Sequence, residues 1–215
     1  MLPLIRTTIT ALAFAACGAA MDSGDSKLRF VDLRLQGGID HGLSEVGGQD
    51  YDARVGPIGG VTLMCGDIGS ARQAEYDWAE DLGIVLGVRL SGVHWEGELG
   101  SDQDQRTELE GVSLAVVGGF GLSWDDELHI ELCGFYGRGL ASNGELRDFE
   151  FRDDGDFVVF GGEIGVYYTW PSAWQVGGII GWQRAKIDVE PSEGAAEVEV
   201  IAGGLNAHVA VGYRF

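Results

Sequence analysis

Apolar and polar residues alternate with a period of two in eight segments of the chain. This period is typical of β-strands, whose side chains point alternately to two different faces. In the last segment, Leu205, Val209 and Val211 share one face, and Asn206 and His208 share the other. The eight predicted strands span residues 28–39, 53–65, 81–95, 108–124, 128–140, 157–170, 174–185 and 205–215. The pattern predicts an all-β protein.

The predicted connections alternate between short and long. Residues 124–127 and 171–173 are tight turns, and 66–78 is a longer link where a short one is expected. The long polar segments are 40–52, 96–110, 145–156 and 186–199. Transmembrane barrels have short turns at one rim and long loops at the other. Each apolar face continues for about five alternate positions, which is close to the length of a tilted strand that crosses a bilayer.

The chain ends on an aromatic residue, Phe215, with Tyr213 two positions before it. A terminal strand with one apolar face and an aromatic last residue resembles the final strand of the small eight-stranded bacterial outer-membrane proteins, the OmpA-barrel and OmpX-like group. The resemblance implies an eight-stranded antiparallel up-and-down transmembrane β-barrel in the outer membrane of a Gram-negative cell. It also implies insertion by the barrel-assembly machinery, which would read Tyr213 and Phe215, and it implies no substrate.

The amino-terminal residues 1–20 have the features of a secretory signal. Arg6 precedes a short apolar run, and small residues close the segment, which is too short to span a bilayer. We expect cleavage after Ala20, so that residues 21–215 form one barrel domain. Cys17 leaves lipidation open as an alternative, although the residue three positions before it is not leucine.

Composition and charge support an exported barrel. Glycine is abundant, with 36 residues, and proline is scarce, with 4. The net charge is −20, and the four long segments hold 21 acidic and 4 basic residues, so the acidity is concentrated at one rim. This charge argues against nucleic acid as a partner. The acidic rim is a solvated surface or, alternatively, binds divalent cations beside lipopolysaccharide. The expected partners are outer-membrane lipids and lipopolysaccharide, and we expect a monomer without a cofactor.

Charged side chains occur on the polar faces of the predicted strands. An eight-stranded barrel has an interior just wide enough for side chains to fill it, and buried charges there must be paired. We therefore predict a network of polar side chains in the lumen, with a narrow gated pore as the alternative. Its predicted members are Arg34, Arg54, Arg89, Glu131, Glu163 and His208.

Aromatic residues cluster at the ends of the predicted strands, as expected for the two interfaces of a membrane. The predicted periplasmic group is Trp78, Trp124, Trp170, Trp174, Tyr213 and Phe215. The predicted outer group is Trp95, Tyr136 and Trp182.

No set of residues predicts catalysis. His129 and Glu131 share an inward face without a serine, whereas Ser91 and His94 face opposite ways unless a bulge brings them together. A lipid-modifying barrel enzyme and a soluble lipocalin-type barrel, with its apolar face inside, remain the alternative functions. Cys65 and Cys133 fall on opposite faces of non-adjacent strands, so we expect both to remain thiols.

Overall fold

The computed structural model describes residues 30–68, 81–98, 106–124, 127–146, 149–153, 157–189 and 198–215, and the predicted signal sequence with Cys17 lies outside them. No helix in these ranges is long and apolar enough to cross a membrane. The strands are β1 (Phe30–His41), β2 (Leu43–Val46), β3 (Gln49–Asp50), β4 (Asp52–Ile68), β5 (Asp81–Glu98), β6 (Arg106–Trp124), β7 (Leu128–Leu146), β8 (Phe149–Asp153), β9 (Phe157–Thr169), β10 (Trp174–Val189), β11 (Val198–Ala202) and β12 (Leu205–Arg214).

The eight strands β1, β4, β5, β6, β7, β9, β10 and β12 close into an antiparallel barrel. Each pairs with the next of these strands along the chain, and β12 pairs with both β10 and β1. The closing ladder places Leu35 opposite Val211, and the amide of Phe215 donates to the carbonyl oxygen of Val31 at 2.9 Å. Closure satisfies the backbone groups that an open sheet edge would leave unpaired in lipid. The predicted eight-stranded up-and-down barrel is confirmed.

The outside of the barrel is apolar and the inside is polar. Ile84, Ile180 and Leu205 are 59%, 65% and 75% exposed, whereas Asp32 and Arg34 are at most 1% exposed. A soluble barrel of lipocalin type would have the opposite arrangement, so that alternative is wrong. An apolar exterior around a polar lumen is the construction of a transmembrane barrel. The predicted transmembrane fold, and with it the location in an outer membrane, follows from this arrangement.

Several strands are longer than a bilayer requires. β5 has 18 residues and β6 and β7 have 19 each, whereas about 9–11 tilted residues cross the apolar layer. The wall therefore continues beyond the membrane at the rim away from the chain end. The prediction of long polar loops at 40–52, 96–110, 145–156 and 186–199 is wrong in this respect, because β2, β3, β8, β11 and the extended barrel strands occupy much of those segments.

The extended part of the barrel has an apolar interior. Tyr51, Leu109, Phe157 and Ile187 are all at most 6% exposed, and the rings of Trp95 and Phe157 meet edge to face at 6.1 Å. Trp95 is fully buried, so its predicted place in the outer aromatic group is wrong. The even-numbered residues from Leu82 to Leu90 of β5 face lipid. Side chains of a strand alternate between two faces, so the odd-numbered Trp95 of the same strand faces the lumen.

Candidate functional site: the filled lumen

A first layer of paired charges crosses the lumen near the chain end. Arg34 of β1 donates from Nη1 and Nη2 to the two carboxylate oxygens of Glu131 at 2.6 and 2.7 Å. Its Nη2 also donates to Asp32 at 2.8 Å, and Arg214 donates to the same carboxylate at 2.9 and 3.0 Å. The Tyr167 ring centre lies 4.0 Å from the Arg34 guanidinium carbon. Because β1 and β7 are not neighbours, this bidentate pair ties opposite walls of the barrel together.

Amide and imidazole groups complete this layer. Gln175 accepts from Arg34 Nε at 3.2 Å, and its amide nitrogen donates to Asp32 and to Thr169, each at 3.1 Å. His129 Nε2 lies 2.7 Å from Arg214 Nη1. These contacts give the buried charged groups several hydrogen-bond partners, which replace the water that they lose on burial.

A second ion pair lies further from the chain end. Arg89 Nη1 donates to Glu163 at 2.7 Å, and Nη2 binds the other carboxylate oxygen. The Nε group donates to the Thr62 hydroxyl at 3.1 Å, and Gln36 donates to the same oxygen at 2.9 Å. The Phe135 ring centre is 5.4 Å from the guanidinium carbon. The pair joins β5 to β9 across two intervening strands, so it also blocks the lumen rather than lining it.

Above the second pair, the lumen narrows to a water-sized space and then closes. A cavity of about 10 Å³ is bordered by Arg89, Ser91, Gln183 and other inward residues, and this volume is enough for about one water. Beyond it, the Asp40 carboxylate accepts from Trp95 Nε1 at 2.7 Å and from Gln183 Nε2 at 2.5 Å. These three side chains separate the charged lumen from the apolar interior above.

The hairpin of β2 and β3 covers the apolar interior. Gly47 and Gly48 have φ angles of 57° and 79°, the left-handed values that a two-residue hairpin turn requires. β2 pairs with β11 and also contacts β4, β5 and β6 at the barrel mouth. Val46 is 4% exposed, and the Ser44 hydroxyl donates to the Ile201 carbonyl oxygen at 3.2 Å. The hairpin therefore continues the wall formed by β1 and β4, and its Val46 packs against the apolar interior at the barrel mouth.

Five of the six residues predicted for the lumen network are buried inside the barrel. Arg34, Arg89, Glu131 and Glu163 form the two ion pairs. His208 is 8% exposed, and its Nε2 lies 3.2 Å from the amide oxygen of Asn206. The regular alternation of the strands that carry these residues places them on the inward face.

The prediction for Arg54 is wrong. Its side chain is 46% exposed and pairs with Glu98 outside the lumen. The β4–β5 ladder shifts between Arg54 and Ile58, so β4 carries one extra residue at this point. A bulge of one residue turns the preceding side chains to the other face.

Several luminal residues were not among the six predicted for the network, and Gln175, Gln183 and Asp40 are three of them. Gln175 and Gln183 lie on the polar face of the seventh predicted strand, and alternation alone could have identified them. Asp40 fell in a segment predicted to be a loop. Its inward position became evident only because β1 continues to His41.

The aromatic residues at the chain end lie outside the barrel. Tyr213 stacks edge to face with Trp174 at 5.6 Å and with Phe215 at 5.2 Å. Tyr168 and Trp170 form a similar pair at 5.3 Å. The lipid-facing apolar surface of the barrel forms a belt, and at its other edge Tyr136 and Trp182 are exposed. Trp78 and the side chain of Trp124 lie outside the described part of the chain.

None of the serine and histidine pairs considered from the sequence places a nucleophile beside a free base in the described part of the barrel. Both carboxylate oxygens of Glu131 bind Arg34, and Ser91 is buried in the lumen while His94 faces outward. Ser44 donates to the backbone, and His41 is exposed. Cys65 and Cys133 are buried and are not joined in a disulfide. Among the described residues, no group of three or more His, Cys, Asp or Glu side chains could hold a metal ion.

Comparison with known proteins finds similar structures but no similar sequences. No protein-family model and no curated protein matches the chain. Neisserial surface protein A (NspA) is 11% identical, with 85% of this chain and 96% of that chain covered and a TM-score of 0.41. Ail, the attachment invasion locus protein of Yersinia pestis, is 11% identical over 86% and 99% of the two chains, with a TM-score of 0.40. The outer membrane protein OprG from Pseudomonas aeruginosa is 14% identical over 86% and 95%, with a TM-score of 0.40. By its own strand closure, apolar belt and charge-filled lumen, the chain is a small eight-stranded outer-membrane β-barrel.

Proposed function

We propose that the protein is a sealed outer-membrane barrel with a structural or surface-interaction role, and that it acts neither as a pore nor as an enzyme. The observation that carries the proposal is the blocked lumen. Two ion pairs cross it, Asp40 and Trp95 close it above them, and the β2–β3 hairpin covers the apolar interior. With its interior filled, the barrel presents only its outer surface to other molecules.

Planar-bilayer recording tests the seal. The refolded protein should give no discrete conductance, with a porin in the same bilayer as the positive control. A Trp95→Ala variant should leave the two ion pairs in place and stay closed. Discrete openings of the natural protein that change in this variant would show that ions pass through this lumen and would refute the proposal.

The absence of catalysis is part of the same proposal. Small barrels that cut or transfer lipid acyl chains need an activated nucleophile near the lipid-facing rim. The outward histidine on β5, His94, contacts Glu96 and Glu110 instead of a hydroxyl. Mass spectrometry of lipid A from cells with and without the protein should therefore give identical species, and a new species would contradict the proposal.

The proposed partners are the lipids around the belt, including lipopolysaccharide, and the barrel-assembly machinery during insertion. The exposed position of Tyr213 and Phe215 at the edge of the belt supports their role in assembly. We propose that the acidic side chains above the belt, such as Glu110 and Asp188, face the outside of the cell. Heat-modifiable gel mobility together with membrane fractionation tests insertion, since a soluble protein would show neither property.

A further inference from the structure

Two arginines on the lipid-facing wall have no partner among the described residues. Arg138 of β7 and Arg184 of β10 are exposed, and neither makes a hydrogen bond or an ion pair within the described ranges. The other arginines with described side chains, Arg34, Arg54, Arg89 and Arg214, each pair with a carboxylate. In a chain with a net charge of −20, these two arginines without a protein carboxylate are available to an anion from outside the protein.

Both arginines lie just beyond the aromatic edge of the apolar belt. Arg138 follows the exposed Tyr136 by two residues, and Arg184 follows the exposed Trp182 by two. Phe160 lies between them on β9, with its ring 5.9 Å from that of Trp182. Aromatic residues of this kind mark the membrane interface, and two further residues along a strand add about 7 Å. This distance puts both guanidinium groups at the level of the lipid headgroups.

The two guanidinium groups are close enough to bind the same headgroup. Only β9 separates β7 from β10, and Arg138 lies opposite Val158 while Arg184 lies opposite Phe160. From the strand spacing and rise, their Cα atoms are roughly 12 Å apart. Two extended arginine side chains can cover that span, and each guanidinium can bind phosphate oxygens with two parallel hydrogen bonds.

The neighbouring acidic residues already have a partner. Lys186, next to Arg184 on the outward face of β10, pairs with Glu199 at 2.6 Å and approaches Asp188 at 3.9 Å. These carboxylates are therefore occupied by a lysine rather than by either arginine. Between the arginines, the half-buried Val158 and the exposed Phe160 provide an apolar surface for the beginning of an acyl chain.

We propose that Arg138 and Arg184 form a binding site for the phosphate groups of an outer-leaflet lipid, whose acyl chains lie over Val158 and Phe160. This proposal rests on the proposed function, because it requires the barrel to be inserted in a membrane. The lipid it selects carries phosphate on a large headgroup, and the site discriminates by phosphate rather than by acyl chain length.

Native mass spectrometry of the full barrel in a neutral detergent tests the site, with bis-phosphorylated lipid A and dephosphorylated lipid A as probes. The natural barrel should retain the phosphorylated probe and release the dephosphorylated one. Arg138→Gln and Arg184→Gln should each weaken retention by about tenfold, the effect of losing one charge-assisted contact. The double variant should bind both probes equally weakly.

Arg54→Gln is the matched control, because Arg54 is also exposed but lies on β4 and pairs with Glu98. It should bind lipid A as the natural barrel does. Equal retention of the two probes by the natural barrel, or unchanged retention by the double variant, would overturn the proposal. Displacement of the lipid by millimolar inorganic phosphate alone would also overturn it, since the site would then be a phosphate site without lipid specificity.

The two proposals fail in different ways. If the barrel shows heat-modifiable mobility in vesicles but does not distinguish the probes, only the lipid site is wrong. If the barrel does not insert, the proposed function itself fails before any lipid is added.

Discussion

The ion pair of Arg89 and Glu163 offers a quantitative test of whether water reaches this level of the lumen. Glu163→Gln keeps the side-chain size but removes the countercharge and leaves the guanidinium charged and 7% exposed, beside Thr62 and the Phe135 ring. Breaking a buried pair in this way costs about 3–5 kcal/mol, because the remaining charge is uncompensated. The retained bond to Thr62 places the expected loss in the unfolding free energy near the lower end, at about 3 kcal/mol.

A double-mutant cycle separates the pair from its surroundings. Arg89→Met leaves the Glu163 carboxylate without its cation and should also cost about 3 kcal/mol. The double variant contains no buried charge at this level, so its loss should be about 1–2 kcal/mol, far below the sum of the single losses. The coupling energy between the two positions should therefore be several kcal/mol in favour of the natural pair.

Urea unfolding in lipid vesicles, followed by gel mobility, measures these free energies. Arg54→Gln is the control, since the exposed pair of Arg54 and Glu98 should contribute less than about 1 kcal/mol. A loss below about 1 kcal/mol for Glu163→Gln, or additive effects in the cycle, would show that water reaches the pair. In that case the argument for a sealed lumen would lose its main support.

Two further predictions concern the wall of the barrel. Partial desolvation lowers the pKa of His94, above the belt, but its hydrogen bonds to Glu96 and Glu110 outweigh this and raise it overall. Its contribution to stability, below about 1 kcal/mol, should be complete in mild acid and lost as the pH rises through the raised pKa. A pH series of unfolding in which His94→Gln showed the same slope as the natural chain would contradict this. Gly119→Ala should destabilise the barrel by about 1–3 kcal/mol because its Cβ would lie 2.0 Å from the Leu132 carbonyl oxygen. Gly92→Ala, whose Cβ meets nothing within 4 Å, should change stability by less than about 1 kcal/mol, and equal losses for the two would refute the assigned packing.

Alternation predicted much of the fold because each strand has a lipid side and a lumen side. Arg34 and Glu131 lie on the polar faces of stretches of β1 and β7 that pair in regular register, and their burial followed from position alone. Arg54 could not be placed correctly, because the extra residue near Pro57 changes the face without changing the composition. Trp95 was misplaced for another reason: tryptophan is typical of membrane interfaces, but its odd-numbered position on β5 turns this side chain into the lumen.

The extended part of the barrel, where the wall continues beyond the membrane, was the least predictable part of the structure. Its outward residues are acidic and its inward residues are apolar, so the sequence of these segments resembles that of a polar loop. Leu109 and Ile187 are both at most 1% exposed, yet each lies between acidic or basic neighbours in the sequence. The pairing of β2 with β11 joins segments about 150 residues apart, and no local pattern indicates such a contact.

The filled lumen restricts where a specific role can reside. Each charge in the two luminal ion pairs is bound by a partner on another strand. A substitution of such a residue therefore lowers the free energy of unfolding, whatever new contact it makes. Outward residues above the belt carry no such constraint: Glu98 and Glu110 pair only with neighbours on the surface, and their exchange leaves the ion pairs inside untouched. A luminal substitution and an outward substitution above the belt should therefore have additive effects on the free energy of unfolding. Under the proposed surface-interaction role, substitutions at the rim can therefore alter the outer surface without disturbing the ion pairs of the lumen.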